Sequence, residues 1–296
     1  MTSKKTSKVK SYMSFTKFRL SALVIISALS GYLFVGGSDS LELTYLLVGG
    51  LLVTAASNGS NQIWEREYDI LMKRTANRPL PTGEMSIKEA YAVVIVCLIA
   101  GTALLYMINL YSALLGLLAY ISYVFMYTPM KRKSPWAVFV GAIPGAIPPF
   151  LGAIAATGEF GLVPGVLFFV QFTWQFPHFW AIAWVAFDDY KAGGFSLLPS
   201  KEGKSKNSAF QIVVYSLALI PFSLLPWIMG MTGIVSFIIA MILGLWFFYY
   251  AWKLFMTCDD KDARKLMFAS FIYLPIIQFV YVFDANTEMI QTLLAH

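Results

Sequence analysis

The chain has 296 residues, 58% hydrophobic and 13% charged, with a formal net charge of +6 and a mean hydropathy of +0.67. A soluble domain of this length needs far more polar surface, so the composition excludes a water-soluble globular protein and makes the bilayer the solvent. Two distant cysteines and two histidines exclude a disulfide framework and a zinc cluster, and the positive charge forms no aromatic-interleaved stripe for nucleic acid.

A helix crossing the ~30 Å hydrocarbon core needs about 20 apolar residues. Nine segments meet that length, at roughly 15–36, 42–63, 88–108, 110–128, 137–157, 161–187, 208–229, 231–253 and 266–284. The first follows a basic tail, residues 1–13. Its apolar run continues through Tyr32, Leu33 and Phe34 with no small-residue cleavage pattern, so it reads as a span and not as a signal peptide. The expected organisation is therefore one all-α membrane unit over 14–284 and a short tail, 285–296, with no soluble domain between the spans.

Charge orients this array. Lys4, Lys5, Lys8, Lys10, Lys17 and Arg19 stand at the N-terminal end, and the loops and span edges after spans 2, 4, 6 and 8 hold every other Lys and Arg. The connections after spans 1, 3, 5 and 7 contain none. The positive-inside rule then places the N-terminus and the even-numbered loops in the cytoplasm and the C-terminus outside.

Span 2 ends in NQIWEREYDILMKRTANRPLPTG, residues 61–83, a mixed-sign cluster denser than a loop needs for solvation. At 100° per residue Asn61, Glu65 and Asp69 fall within about 80° of one another, while Glu67 points nearly opposite Glu65. One amide and two carboxylates on one face suit a hard cation such as Mg²⁺ that keeps positions for water and phosphate. Lys73, Arg74 and Arg78 follow within one short loop. Bases beside clustered acids suit a phosphate held by cations and bridged to carboxylates by a metal.

Span 5, GAIPGAIPPFLG, carries three prolines and predicts a kinked, closely packed helix. Span 6 carries Gln171, Gln175 and His178 and runs into Asp188 and Asp189. On an ideal helix Gln171, Gln175, His178 and Asp189 share one face, which predicts a polar cavity wall leading to a second acidic site. Equivalent positions for spans 2 and 6 suggest two four-helix repeats followed by a ninth helix.

NxxxExxxDxxMxRTxxRPL, YTPMKRKSPW, GAIPGAIPPFLGA, WQFPHFWAIAW and DYKAGGFSLLP together resemble the protohaem IX farnesyltransferases (haem O synthases) of the UbiA-type intramembrane prenyltransferase superfamily. The resemblance runs from about residue 14 to 284, and the span 5 and 6 signatures are more specific than the acid motif. It implies nine transmembrane helices, two four-helix repeats plus one, around a central cavity open to the cytoplasm in a bacterial inner membrane. It implies Mg²⁺ as cofactor, held by Asn61, Glu65, Asp69 and Asp189, and diphosphate bound by Lys73, Arg74, Arg78, Tyr127 and Lys131. His178 matches an intramembrane histidine, which would bind haem or take part in catalysis. The implied substrates are farnesyl diphosphate and haem B, converted to haem O, with membrane lipid around the protein and a further haem-modifying membrane enzyme downstream. The sequence departs from the pattern at Glu65 and Glu67 (usually Asp), at Gly193 (often Asp) and at Phe18 (usually Pro). A sister prenyltransferase of aromatic or quinone precursors shares the acid motifs but not the span 5 and 6 signatures. A secondary transporter explains spans and buried polar groups, but places its ions near the midplane.

Overall fold

The computed structural model describes residues 7–295; residues 1–6, with Lys4 and Lys5, and His296 lie outside the described residues, as does the Arg19 side chain. Among the described residues the regular elements are helices, and no strand occurs. In chain order they are α1 (Lys8–Phe15), α2 (Phe18–Phe34), α3 (Ser40–Asp69), α4 (Ile87–Tyr106) and α5 (Leu110–Ile121). A π-helical stretch, Ser122–Tyr127, joins α5 to the short α6 (Thr128–Met130). Then come α7 (Ala137–Thr157), α8 (Leu162–Val185), α9 (Phe187–Ala192), α10 (Lys206–Ile228), α11 (Ile234–Thr257), α12 (Asp260–Phe283) and α13 (Thr287–Leu294).

Seven helical segments are long and apolar enough to cross a membrane, and an eighth is counted if the bent pair α1–α2 is one span. The 24-residue α8 matches them in length but not in apolarity, because of Gln171, Gln175, His178 and its tryptophans. The protein is a multi-pass membrane protein. The tail after the last span is itself largely helical: Gln291 Nε2 of α13 donates to the Val35 carbonyl at 3.3 Å, and the Asn286 amide to the Met231 carbonyl at 2.8 Å.

Close backbone approach holds the centre. A Cβ on Gly31 of α2 would stand 2.0 Å from the Pro149 carbonyl oxygen, and one on Gly152 of α7 would stand 2.0 Å from that of Ala28. Only glycine permits this contact, the packing mode expected where lipid supplies no hydrophobic drive between helices. Helix α7 keeps its helical run through all three prolines.

One of those prolines explains Gln171. Pro149 has no N–H to give the carbonyl four residues earlier, Gly145, and Gln171 Nε2 supplies the missing donor at 2.6 Å. Gln278 Nε2 of α12 donates to Gln171 Oε1 at 2.7 Å, Ser27 Oγ of α2 donates to Gln278 Oε1 at 3.2 Å, and Gln175 Nε2 donates to the Ala142 carbonyl at 2.8 Å. The stripe expected to line a cavity therefore ties α2, α7, α8 and α12 together. It also stops short of Asp189: the helix breaks at Ala186 (φ −99°, ψ 20°), so the phase that aligned Asp189 with Gln171 is lost before α9 begins.

Candidate active site

The acid-bearing face of α3 is buried where it was expected to be functional. Asn61, Glu65 and Asp69 are 1%, 6% and 0% exposed, whereas Glu67 is exposed and, among the described residues, pairs only with Arg66. Each buried acid already has a base. Lys131 Nζ lies 2.6 Å from Glu65 Oε1, and Arg78 reaches both oxygens of Asp69 at 2.6 and 2.8 Å. Burial works against charge on Lys131, just beyond the span, but the Glu65 carboxylate outweighs it and holds the ammonium above its usual range. Asn61 Nδ2 donates to Thr128 Oγ1 at 3.3 Å.

Local structure brings these groups together. Pro129 cannot donate to the helix ladder, and the chain before it adopts the π-helical stretch Ser122–Tyr127, a geometry that often marks functional turns. Thr128 and Lys131 then face α3, and Lys131 Nζ stands 4.8 Å from the centroid of the Tyr127 ring. That ring fits because position 141 is glycine, where a Cβ would approach it to 2.7 Å.

Lys17 completes the cluster; the sequence marked it only as one of the orienting bases, with no place in the site. Gln62 Nε2 donates to the Phe15 carbonyl at 2.6 Å and Asn58 Nδ2 to the Thr16 carbonyl at 3.4 Å, so two α3 side chains hold the break between α1 and α2. At that break Lys17 takes a left-handed conformation (φ 48°, ψ 47°), and its Nζ reaches Asn61 Oδ1 at 3.5 Å. A non-glycine residue in this region costs about 1–2 kcal/mol.

Residues 24–274 match the UbiA prenyltransferase family. The chain belongs to the UbiA prenyltransferase family. It is 49% identical over 281 residues to the protoheme IX farnesyltransferase of Cytophaga hutchinsonii, covering 94% of this chain and 98% of that one. It is 47% identical to the protoheme IX farnesyltransferase of Christiangramia forsetii, covering 92% of each. Its fold is similar to that of a digeranylgeranylglyceryl phosphate synthase (TM-score 0.78, 22% identity, 94% and 99% covered). It is also similar to a UbiA homolog from Archaeoglobus fulgidus bound to GPP and Mg²⁺ (TM-score 0.63, 16% identity, 92% and 99% covered).

The donor chemistry of the α3 face, hard amide and carboxylate oxygens on one helical face, suits a hard divalent cation. Among the described residues, however, no three Asp, Glu, His or Cys side chains stand together as a ready metal cage. Lys131 and Arg78 hold the carboxylates instead. Asp189 is also engaged elsewhere, since its two oxygens accept the backbone amides of Lys73 and Arg74 at 3.2 and 3.1 Å. In this structure Asp189, expected at a second acidic site, anchors the 70–78 loop through these two amides. Lys73 and Arg74 have exposed side chains, with Arg74 5.4 Å from the Tyr190 centroid, and flank the buried pairs without joining them.

His178 lies within the helix bundle. Its Nδ1 is 2.7 Å from Ser270 Oγ of α12, its ring stacks on Trp174 at 4.2 Å, and Trp174 Nε1 donates to the Ser270 carbonyl at 3.1 Å. None of its hydrogen bonds or ring contacts reaches Glu65, Asp69 or Asp189.

Proposed function

We propose that the chain transfers the farnesyl group of farnesyl diphosphate to a vinyl group of protohaem IX (haem B), with addition of water, giving haem O and diphosphate. The carrying observation is the buried cluster in which Lys17, Arg78 and Lys131 face Asn61, Glu65 and Asp69. Three bases against two carboxylates and an amide suit a ligand that brings its own negative charge and a cation together. The acceptor follows from the relatives at 49% and 47% identity, whose names specify protoheme IX and farnesyl.

Asn61, Glu65 and Asp69 would hold Mg²⁺, and Asp189 would join them only by releasing the loop amides it now binds. Bound there, the metal supplies neutralising charge for the leaving diphosphate. Lys131 and Arg78 would turn from their carboxylates to the phosphate oxygens, with Lys17 beside them, as negative charge builds during cleavage of the C1–O bond. Tyr127 and Lys131 would fix the head group, and Lys73 and Arg74 would attract it at the rim. The vinyl π electrons form the new C–C bond to C1. Water then adds to the carbon cation next to the porphyrin and loses a proton. The apolar span walls keep other water from the allylic cation. His178 would position haem, with Ser270 fixing its ring.

The basic loops, and so the diphosphate site, would face the cytoplasm of a bacterial inner membrane, with the C-terminus outside. Nine spans, as two four-helix repeats plus one, would surround a central cavity. Expression with supplied haem, followed by extraction of the pigments, tests the proposed transfer. Farnesylated haem absent from control cells supports it; a prenylated aromatic acid with unchanged haem would favour the sister activity.

A further inference from the structure

Beside the buried pairs a groove of about 470 Å³ opens between the end of α3 and the chain around α6. Glu65 stands in its wall with Trp64, Tyr68, Phe195, Arg132 and Lys133. Arg132 and Lys133 make no ion pair among the described residues, while the neighbouring carboxylates are matched by Lys131 and Arg78. The Arg132 guanidinium lies 3.9 Å from the centroid of the Tyr68 ring. An aromatic contact of this kind fixes the planar fork in advance, and a fixed fork suits a carboxylate better than a lysine does. The groove thus offers two unclaimed positive charges over an aromatic floor of Trp64, Tyr68 and Phe195.

We propose that this groove binds the propionate carboxylates of the porphyrin acceptor through Arg132 and Lys133, an inference that rests on protohaem being that acceptor. Protohaem is a flat apolar ring with both carboxylates along one edge and its vinyl groups on the pyrroles away from it. Holding the carboxylates at the groove turns the vinyl edge inward, past Glu65 and toward the cluster assigned to diphosphate. Each substrate then has its own bases: Lys17, Arg78 and Lys131 for diphosphate, Arg132 and Lys133 for carboxylate.

The test titrates the full-length protein in nanodiscs with protohaem IX and with its dimethyl ester, following the Soret band, and in parallel with a non-hydrolysable thiolodiphosphate analogue of farnesyl diphosphate. Arg132→Gln is expected to weaken protohaem binding about tenfold, the scale of one charge-assisted hydrogen bond. The ester and the diphosphate analogue should bind as before. Lys133→Gln, at an exposed position, provides a second variant if Arg132→Gln folds poorly, and should erode the same preference for the free acid. Equal losses for acid and ester would overturn the proposal. So would a loss confined to the diphosphate analogue, or an unchanged acid preference in the double variant. Loss of affinity for anionic vesicles with porphyrin discrimination intact would give the groove to lipid and overturn it as well. Failure of the unaltered protein to bind protohaem would remove the acceptor assignment itself, an outcome distinct from all of these.

Discussion

Lys131 Nζ and Glu65 Oε1 stand 2.6 Å apart with side chains only 9% and 7% exposed, so neither can lose its partner without leaving a buried charge. Removing one member of such a pair costs about 3–5 kcal/mol, while replacing both is often neutral. Without metal or ligand, Glu65→Gln and Lys131→Met should each lower unfolding stability by about that amount, and the double variant should recover most of it. Denaturant unfolding of the four proteins in detergent measures this coupling. Additive losses would mean that the pair is not the unit described here.

The same geometry separates the three acids of the 65–69 segment. Glu65→Gln and Asp69→Asn should abolish turnover while the proteins still insert, and Glu67→Gln should retain most activity because it faces away from the cluster. Steady-state rates at saturating Mg²⁺ and farnesyl diphosphate compare them. Equal losses at all three would contradict the single-face arrangement.

Lys17 gives a prediction in which stability and binding move apart. Lys17→Gly removes the charge but suits the left-handed backbone (φ 48°), so the variant should be as stable as the parent, or more stable by up to about 1 kcal/mol. Its affinity for the diphosphate analogue should fall roughly ten- to a hundredfold. A variant that melts earlier and binds normally would make Lys17 a structural residue.

Asp189 is expected to act through the loop it anchors. Asp189→Asn replaces one of two acceptor oxygens, so amide exchange across residues 70–78 should quicken in metal-free, ligand-free protein. Hydrogen exchange read by mass spectrometry reports this without turnover. Unchanged protection would sink the anchoring role and return Asp189 to metal binding alone.

For His178, alanine substitution should shift the visible spectrum of bound haem, and Ser270→Ala should produce a smaller shift by freeing the Nδ1 side of the ring. An unchanged spectrum with a lower melting temperature would assign His178 to packing between α8 and α12.

The legible part of this protein was its periodicity. Helical spacing placed Asn61, Glu65 and Asp69 on one face and excluded Glu67, because α3 runs without interruption to Asp69. The same arithmetic failed for Asp189, because Ala186 breaks the helix. The glutamines of α8 were visible as costly polar groups, but their partners were not: Pro149 orphans the Gly145 carbonyl within α7, and only the packing of α8 against α7 brings Gln171 to it. Lys17 was hidden for a similar reason. Its place depends on Gln62 and Asn58 gripping carbonyls more than forty residues earlier in the chain, and no local pattern records that grip.

The most direct test of the central claim incubates the purified, reconstituted protein with protohaem IX, farnesyl diphosphate and Mg²⁺, and weighs the extracted porphyrin. The expected product is heavier than protohaem by one farnesyl and one hydroxyl group, dependent on added Mg²⁺ and absent with Glu65→Gln. Unmodified protohaem alongside prenylation of an aromatic acid supplied in the same reaction would contradict it.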